Sequence, residues 1–224
     1  MKKSIYFILL FAFAFQVQAQ EDNRLGIKFG ANLSTVSGDD LDSDFLFGYH
    51  IGGFAEINFS DKLTFAPEML FSIQGYQSSI SETIEFGGFS TSAEGEEELR
   101  LSYLNFPLMM RYNITESLFA EAGPQIGFLM GAKLESSSES SIESPGFDED
   151  GESITITEVV QETTELNVRD RYNDIDFGVS LGAGGHITDN FLISLRYYLG
   201  LSEIDSTNMG FSNQVIMLSF GFRF

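Results

Sequence analysis

The chain has 224 residues, no cysteine, no tryptophan, and 33 acidic against 12 basic side chains, a formal net charge of −21. Such a balance repels nucleic acid and argues against a phosphate-binding role, and the missing cysteine excludes both a disulfide framework and a lipid-anchored cysteine at a signal cleavage site. Twenty-three Phe and 22 Gly beside only four Pro fit strands and turns better than helices, so the expected class is all-β.

Residues 1–19 read as a secretory signal: Lys2 and Lys3, an apolar run from Ile5 to Phe15, then Val17-Gln18-Ala19, with cleavage after Ala19. The run is too short for a transmembrane helix, and no other long apolar segment exists. Removing the signal leaves ten basic against 33 acidic residues. Residues 20–224 are expected to form one domain.

Period-two alternation then marks eight strands. Leu25, Ile27, Phe29, Ala31 and Leu33 alternate with Gly26, Lys28, Gly30, Asn32 and Ser34. After a polar loop with Asp39, Asp40, Asp42 and Asp44, a second strand sets Phe47, Tyr49, Ile51, Ala55, Ile57 and Phe59 against His50, Phe54, Glu56 and Asn58. Ser60-Asp61 turns into a third, with Leu63, Phe65, Pro67, Met69, Phe71 and Ile73 against Thr64, Glu68, Ser72, Gln74 and Tyr76. Phe54 and Leu70 break the polar pattern of the inner face.

An acidic connection from Gln77 to Glu98, with Gly87-Gly88 at its tip, leads to a fourth strand, in which Leu104, Phe106, Leu108, Met110 and Tyr112 oppose Tyr103, Asn105, Pro107, Met109 and Arg111. After a turn over 113–117, the fifth sets Leu118, Ala120, Ala122, Pro124, Ile126 and Phe128 against Phe119, Glu121, Gly123, Gln125 and Gly127. Pro107 and Pro124 within strands argue against a central soluble sheet. The longest connection, Lys133 to Arg171, reads as a hairpin that prolongs its two flanking strands, because Ser153 to Val160 itself alternates.

A sixth strand places Ile175, Phe177, Val179, Leu181 and Ala183 outward and Asp174, Asp176, Ser180 and His186 inward. After Thr188-Asp189-Asn190, the seventh alternates Phe191, Ile193, Leu195, Tyr197, Leu199 and Leu201 with Ser194, Arg196, Tyr198 and Gly200. The last, Asn213 to Phe224, carries Ile216, Leu218, Phe220, Phe222 and Phe224 on one face. An apolar terminal strand of this length aggregates unless it is paired. Closing a barrel whose outer face meets lipid resolves that.

Long acidic and short connections alternate along the chain, as in outer-membrane barrels with short periplasmic turns and long outer loops. The expectation is an eight-stranded antiparallel up-and-down transmembrane β-barrel of a Gram-negative outer membrane, monomeric, with both termini periplasmic. A soluble ligand-carrying barrel would need an apolar interior, and here the inward set is the polar one. Phe59, Phe65, Tyr112 and Phe191 are expected in the periplasmic aromatic belt together with the outward face of the last strand.

Gly26-Ile-Lys-Phe-Gly-Ala-Asn32, Tyr103-Leu-Asn-Phe-Pro-Leu108, Ala122-Gly-Pro-Gln125, Asp176-Phe-Gly178 with Gly182-Ala-Gly184, Arg196-Tyr197 and the terminal Phe224 occur in an order that resembles the small outer-membrane β-barrel proteins of Bacteroidetes, often called porin-family or PorT-like. The Ala19-Gln20 junction is similar to signal cleavage sites of that phylum. The resemblance implies that Phe220, Phe222 and Phe224 act as an assembly signal read by the barrel-insertion machinery. It implies no uniform activity.

Of the inward residues, Lys28, His50, Glu56, Glu68, Arg111, Glu121, Asp176, His186, Arg196 and Arg223 are expected to form a polar network that fills the narrow lumen. The alternative is a narrow gated path, or a secretion-associated barrel. No catalytic, cofactor or metal site is expected: there is no cysteine, both histidines are assigned to the lumen, and no helix follows Gly182-Ala-Gly-Gly185 to make a phosphate loop. Asp148-Glu149-Asp150-Gly151 is the best local cluster for a hard cation but lacks calcium-loop spacing. The connections 77–98 and 133–171 could offer edge backbone to a strand of an extracellular protein, although their Glu and Ser content blunts such pairing.

Overall fold

The structure is a computed structural model and describes residues 23–37, 43–86, 89–147, 153–205 and 210–224. The signal reading over 1–19, Asp39 to Asp42, the Gly87-Gly88 tip and the cluster Asp148 to Gly151 lie outside the described residues. Among the described residues nine strands follow in chain order: β1 (Arg24–Ser37), β2 (Asp44–Ser60), β3 (Leu63–Phe86), β4 (Phe89–Asn113), β5 (Leu118–Phe147), β6 (Ser153–Asn167), β7 (Ile175–His186), β8 (Phe191–Gly200) and β9 (Ser212–Arg223). A 3-10 turn, Arg169–Arg171, separates β6 from β7. All pairings are antiparallel, in the order β4-β3-β2-β1-β9-β8-β7-β5-β6, and a further β4–β5 pairing closes the ring.

The barrel wall has eight positions, as expected from the alternation, because β6 and β7 share one of them. The lower part of β5 pairs with β7 from Leu118↔Gly185 to Phe128↔Ile175, and its upper part pairs with β6 from Lys133↔Asn167 to Phe147↔Ser153. The ends of the chain meet in register, Gly26↔Arg223 through Ser37↔Ser212. Closure of this kind leaves no edge within the wall, so every wall strand has its backbone groups paired inside the protein.

Alternation sorts the side chains as the pleat requires. Ile27, Phe47, Leu195 and Phe220 are exposed on the outside, whereas Lys28, Glu68, Arg111 and Arg196 are buried inside. At the end of the barrel that carries the short turns, Phe59 stacks on Phe65 (6.5 Å between centroids) and Phe222 bridges Phe191 (4.9 Å) and Phe224 (5.8 Å). Pro107 and Pro124 sit within the β4–β5 ladder. Pairs run to Pro107↔Gln125 and resume at Met110↔Ala122 in the same register, so the missing N–H groups cost ladder bonds without displacing the strands.

Two local features bend the pattern. Met130 is an extra residue on β5, since Tyr103 pairs with Leu129 and Ser102 with Gly131; this bulge reverses the facing of β5 above it. Gly75 has φ +147°, and a Cβ there would overlap the backbone carbonyl of Leu99, so the position needs glycine.

Candidate functional site: the lumen and the projecting sheet

Seven of the ten selected inward residues meet in one ionic layer, drawn from seven different strands. Glu68 on β3 is its centre: Lys28 Nζ donates to Oε1 at 2.5 Å, and Arg196 donates from Nη2 to Oε1 and from Nη1 to Oε2, each at 2.9 Å. Arg196 also reaches Glu121 Oε1 (2.7 Å), whose other oxygen accepts Arg111 Nε (2.9 Å). Arg111 Nη1 continues to Glu56 Oε1 (2.5 Å), and Glu56 Oε2 accepts Arg223 Nη1 (2.9 Å) near the mouth.

Charges taken out of water need such partners, and both fork geometry and sharing of carboxylates supply them. Two aromatics floor the layer. The Arg111 guanidinium lies 4.8 Å from the Phe119 ring centre and 5.7 Å from that of Phe54, and Lys28 Nζ lies 5.5 Å from Phe54. Phe54 fits because Gly26 opposite it has no side chain; a Cβ there would overlap the ring. The break in polarity at Phe54 is thus a cation–π contact, a role that alternation alone does not signal.

The other three selected residues lie elsewhere. His50 is buried and bonded on both nitrogens, Nδ1 to Asn32 Oδ1 (2.7 Å) and Nε2 to Ser219 Oγ (2.9 Å). His186 stands at the mouth against the Phe119 ring (5.4 Å). There it lines a polar vestibule of about 380 Å³ together with Arg24, Glu56, Arg111 and Arg223. Asp176 sits higher in the lumen, bonded to Ser202 and Asn213. Asp174, read as inward, is exposed and pairs with Arg169. β7 begins only at Ile175, so its alternation does not extend to that residue.

The lumen towards the long hairpins also holds an apolar cluster, which the polar reading of the inward set did not include. Val36, Leu99, Leu101, Tyr103, Leu129 and Ala132 from the wall pack with Val168 and Ile204. The last two belong to connections that fold inward over the barrel end. Ala132 faces inward because the Met130 bulge has reversed β5, a one-residue shift that no spacing rule places in advance. Leu70, likewise off-pattern, joins Tyr198, Val215 and Met217 in a second apolar cluster.

Beyond this end, the acidic connections are paired strands, as the hairpin reading of Lys133 to Arg171 expects. The upper parts of β3, β4, β5 and β6 form a four-stranded sheet, paired out to Phe86↔Phe89 and Phe147↔Ser153. Fifteen residues of β5–β6 pairing correspond to roughly 50 Å at about 3.3 Å per residue. β2 leaves β3 at Asp44↔Gln77, and among the described residues β6 pairs on one side only. The sheet therefore has two open edges.

Its outer face carries Glu94, Glu96 and Glu98 on β4, Glu135 and Glu139 on β5, and Glu165 on β6. Glu98, Glu135 and Glu165 stand directly abreast, as do Glu94 and Glu139. Like charges directly opposite destabilise a sheet. Arg100 bonds Glu98, and Lys133 Nζ reaches Glu165 at 2.6 Å, so part of the charge is offset at the base. The Glu98 carboxyl is partly buried, which would raise its pKa, but hydrogen bonds from Arg100 and Gln77 outweigh burial and hold it below the usual range.

A closed ring, an apolar exterior and a charged interior together describe a membrane barrel. A family model described as outer membrane protein beta-barrel domain matches residues 18–206. The chain belongs to that family. Among solved structures, the barrel is similar to Ail, the attachment invasion locus protein of Yersinia pestis, at 14% identity and TM-score 0.42, over 90% of this chain and 99% of that one. It is also similar to Neisserial surface protein A, at 16% identity and TM-score 0.32 over 89% and 95% of the two chains. Acinetobacter baumannii CarO matches at 11% and 0.30 over 87% and 97%. At these scores the likeness decides nothing about binding or activity. No curated protein shows significant similarity to the chain. Among the described residues, no helix is long and apolar enough to cross a membrane; this outer-membrane family crosses with strands.

Proposed function

We propose that this outer-membrane barrel is a non-conducting anchor whose work is done by its projecting acidic sheet, which meets extracellular proteins. The observation that carries the reading is the free-standing four-stranded sheet itself. It extends far beyond the apolar belt, keeps an open β6 edge, and maintains carboxylates abreast that cost it stability. A merely protective fringe has no need of regular pairing over fifteen residues, whereas a strand-adding partner needs an ordered edge. The glutamates limit self-association at that edge, which supports a monomer.

The non-conducting half of the reading is supported by the ionic layer and the apolar cluster, which fill the lumen from opposite ends. The order of the strand motifs supports placing the protein among the small barrels of Bacteroidetes. The aromatic ladder Phe220, Phe222 and Phe224 supports its use as an assembly signal, and with it termini on the periplasmic side. The polar vestibule at the turn end favours the alternative of a narrow transport or secretion path, and one measurement separates the two. Reconstituted protein is expected to give a silent bilayer; stable, long-lived single-channel openings would replace the anchor reading by the transport one.

The surface role is tested by deleting Glu135 to Glu165 and joining the opposed pair Leu134 and Leu166 through a two-residue turn. Cells displaying the shortened barrel at equal density are expected to lose attachment to matrix-coated surfaces. Unchanged attachment would leave the sheet without a binding role.

A further inference from the structure

One carboxylate of the lumen stands apart from the ionic layer. Asp176 is 2% exposed, and among the described residues no Lys or Arg pairs with it, whereas Glu56, Glu68 and Glu121 each have at least one such partner. Its two oxygens accept Ser202 Oγ at 2.9 Å and Asn213 Nδ2 at 2.8 Å. These neutral bonds leave the charge uncompensated inside a protein wall that faces lipid, where an isolated carboxylate is costly.

The same region holds a concentration of unused polar atoms. Among the described residues, Asn213 Oδ1 and both side-chain heteroatoms of Asn105 are buried without a hydrogen-bond partner, and the buried hydroxyls of Tyr103 and Tyr198 have only Asn213 and Asp176 themselves to meet. Register brings them together. Asn105 pairs with Gly127 and Gly127 with Asp176, one row across β4, β5 and β7. Gly127 lets the Asn105 side chain lie over that row: a Cβ there would sit 2.5 Å from Asn105 Oδ1. The Tyr198 hydroxyl lies against the Asp176 carboxylate and the Tyr103 hydroxyl against Asn213, so both belong to the same cluster as Asp176.

Buried polar atoms without partners call for a specific occupant. Water would use the hydrogen-bonding capacity but leave the carboxylate charge unpaired. One carboxylate with amide and hydroxyl oxygens around it is the donor set of a hard cation, and a single negative charge matches a single positive one. We propose that Asp176, Asn105, Asn213, Tyr103 and Tyr198 form a buried site for an alkali cation, Na⁺ or K⁺, which ties β7 across the lumen to β4, β8 and β9. Ser202, half-buried at the rim, marks the approach from the hairpin end.

The test is the urea midpoint of the refolded barrel in micelles, with NaCl or KCl compared against choline chloride at equal ionic strength. Choline screens the acidic sheet equally but is too large for the site. The midpoint is expected to rise with the logarithm of alkali-ion concentration, as for a ligand bound only by the folded state, and to lose that dependence in Asp176→Asn. Equal midpoints in choline and alkali salts, or an alkali effect that survives Asp176→Asn, would overturn the proposal. If that variant fails to fold, Asn105→Ala is expected to weaken the apparent ion affinity at least tenfold, and an unchanged affinity counts against the site. Crystals soaked in Tl⁺ give the direct readout: an anomalous peak within about 3 Å of Asp176 is expected, and ordered water there without a peak refutes it.

Discussion

Arg196 and Glu68 form a two-pronged ion pair across the lumen, Nη1 to Oε2 and Nη2 to Oε1, each at 2.9 Å, between residues 128 positions apart in the chain. The pair ties β8 to β3, which are not neighbours in the wall. Glu68 also serves Lys28 and Arg111, so three cations depend on one carboxylate.

Glu68→Ala leaves those cations buried with fewer partners and is expected to destabilise the barrel by about 3–5 kcal/mol. Glu68→Gln keeps the shape and loses the charge, and should cost nearly as much. The urea midpoint of refolded protein, read by the heat-dependent gel shift of the folded barrel, checks both. A loss under 1 kcal/mol for Glu68→Ala would show that the network contributes nothing net.

Gly75 provides a backbone test. Alanine there meets both a positive φ and the Leu99 carbonyl, so Gly75→Ala is expected to cost about 2–4 kcal/mol from strain and displacement together. Gly95 and Gly131 have nothing within 4 Å of an added Cβ, and alanine at either should be close to neutral. Equal effects at all three positions would contradict this account.

Phe222 packs between Phe191 and Phe224 at the strand end. Phe222→Ala is expected to lower the fraction of folded barrel recovered from membranes, with Phe224→Ala weaker because it breaks one ring contact where Phe222→Ala breaks two. Comparing the folded fraction of the two variants at matched expression decides the order.

Relieving the row Glu98–Glu135–Glu165 should order the sheet. Glu135→Lys replaces two like-charge neighbours by opposite ones and is expected to add roughly 0.5–1 kcal/mol to the local stability of β5–β6, an effect that fades as salt screens the exposed charges. Amide exchange along 133–141 and 159–167 reads it, and slower exchange in the wild type would reverse the assignment.

Acid acts on the same row. The Glu98 pKa is depressed in the folded sheet, so its stabilising bonds to Arg100 and Gln77 are present above the unfolded carboxyl value and are lost as pH falls through the folded one. A side-chain carboxyl titration by NMR is expected to place Glu98 lower in the wild-type protein than in Arg100→Ala, which removes its charged hydrogen-bond donor. The opposite order would refute the pairing.

Period-two alternation was enough to place the wall. The outward run Ile27 to Leu33 and the inward Lys28, Glu56, Glu68, Arg111, Glu121 and Arg196 follow from the pleat alone, because a side chain on a strand has only two directions and lipid selects one of them. The Lys133–Arg171 hairpin was legible for the same reason, since its second arm alternates.

What alternation cannot carry is position along the lumen and any change of phase. That Lys28 and Arg196 share Glu68, while Asp176 is left without a cation, depends on the stagger of eight strands around the ring, a property of the closed barrel and not of any one strand. The Met130 bulge, the inward fold of Val168 and Ile204, and the abreast glutamates of the outer face likewise depend on pairing between distant segments. Within each regular wall strand the chain alone therefore determined which residues face lipid and which face inward, and tertiary closure decided where that phase changes and which inward residues meet.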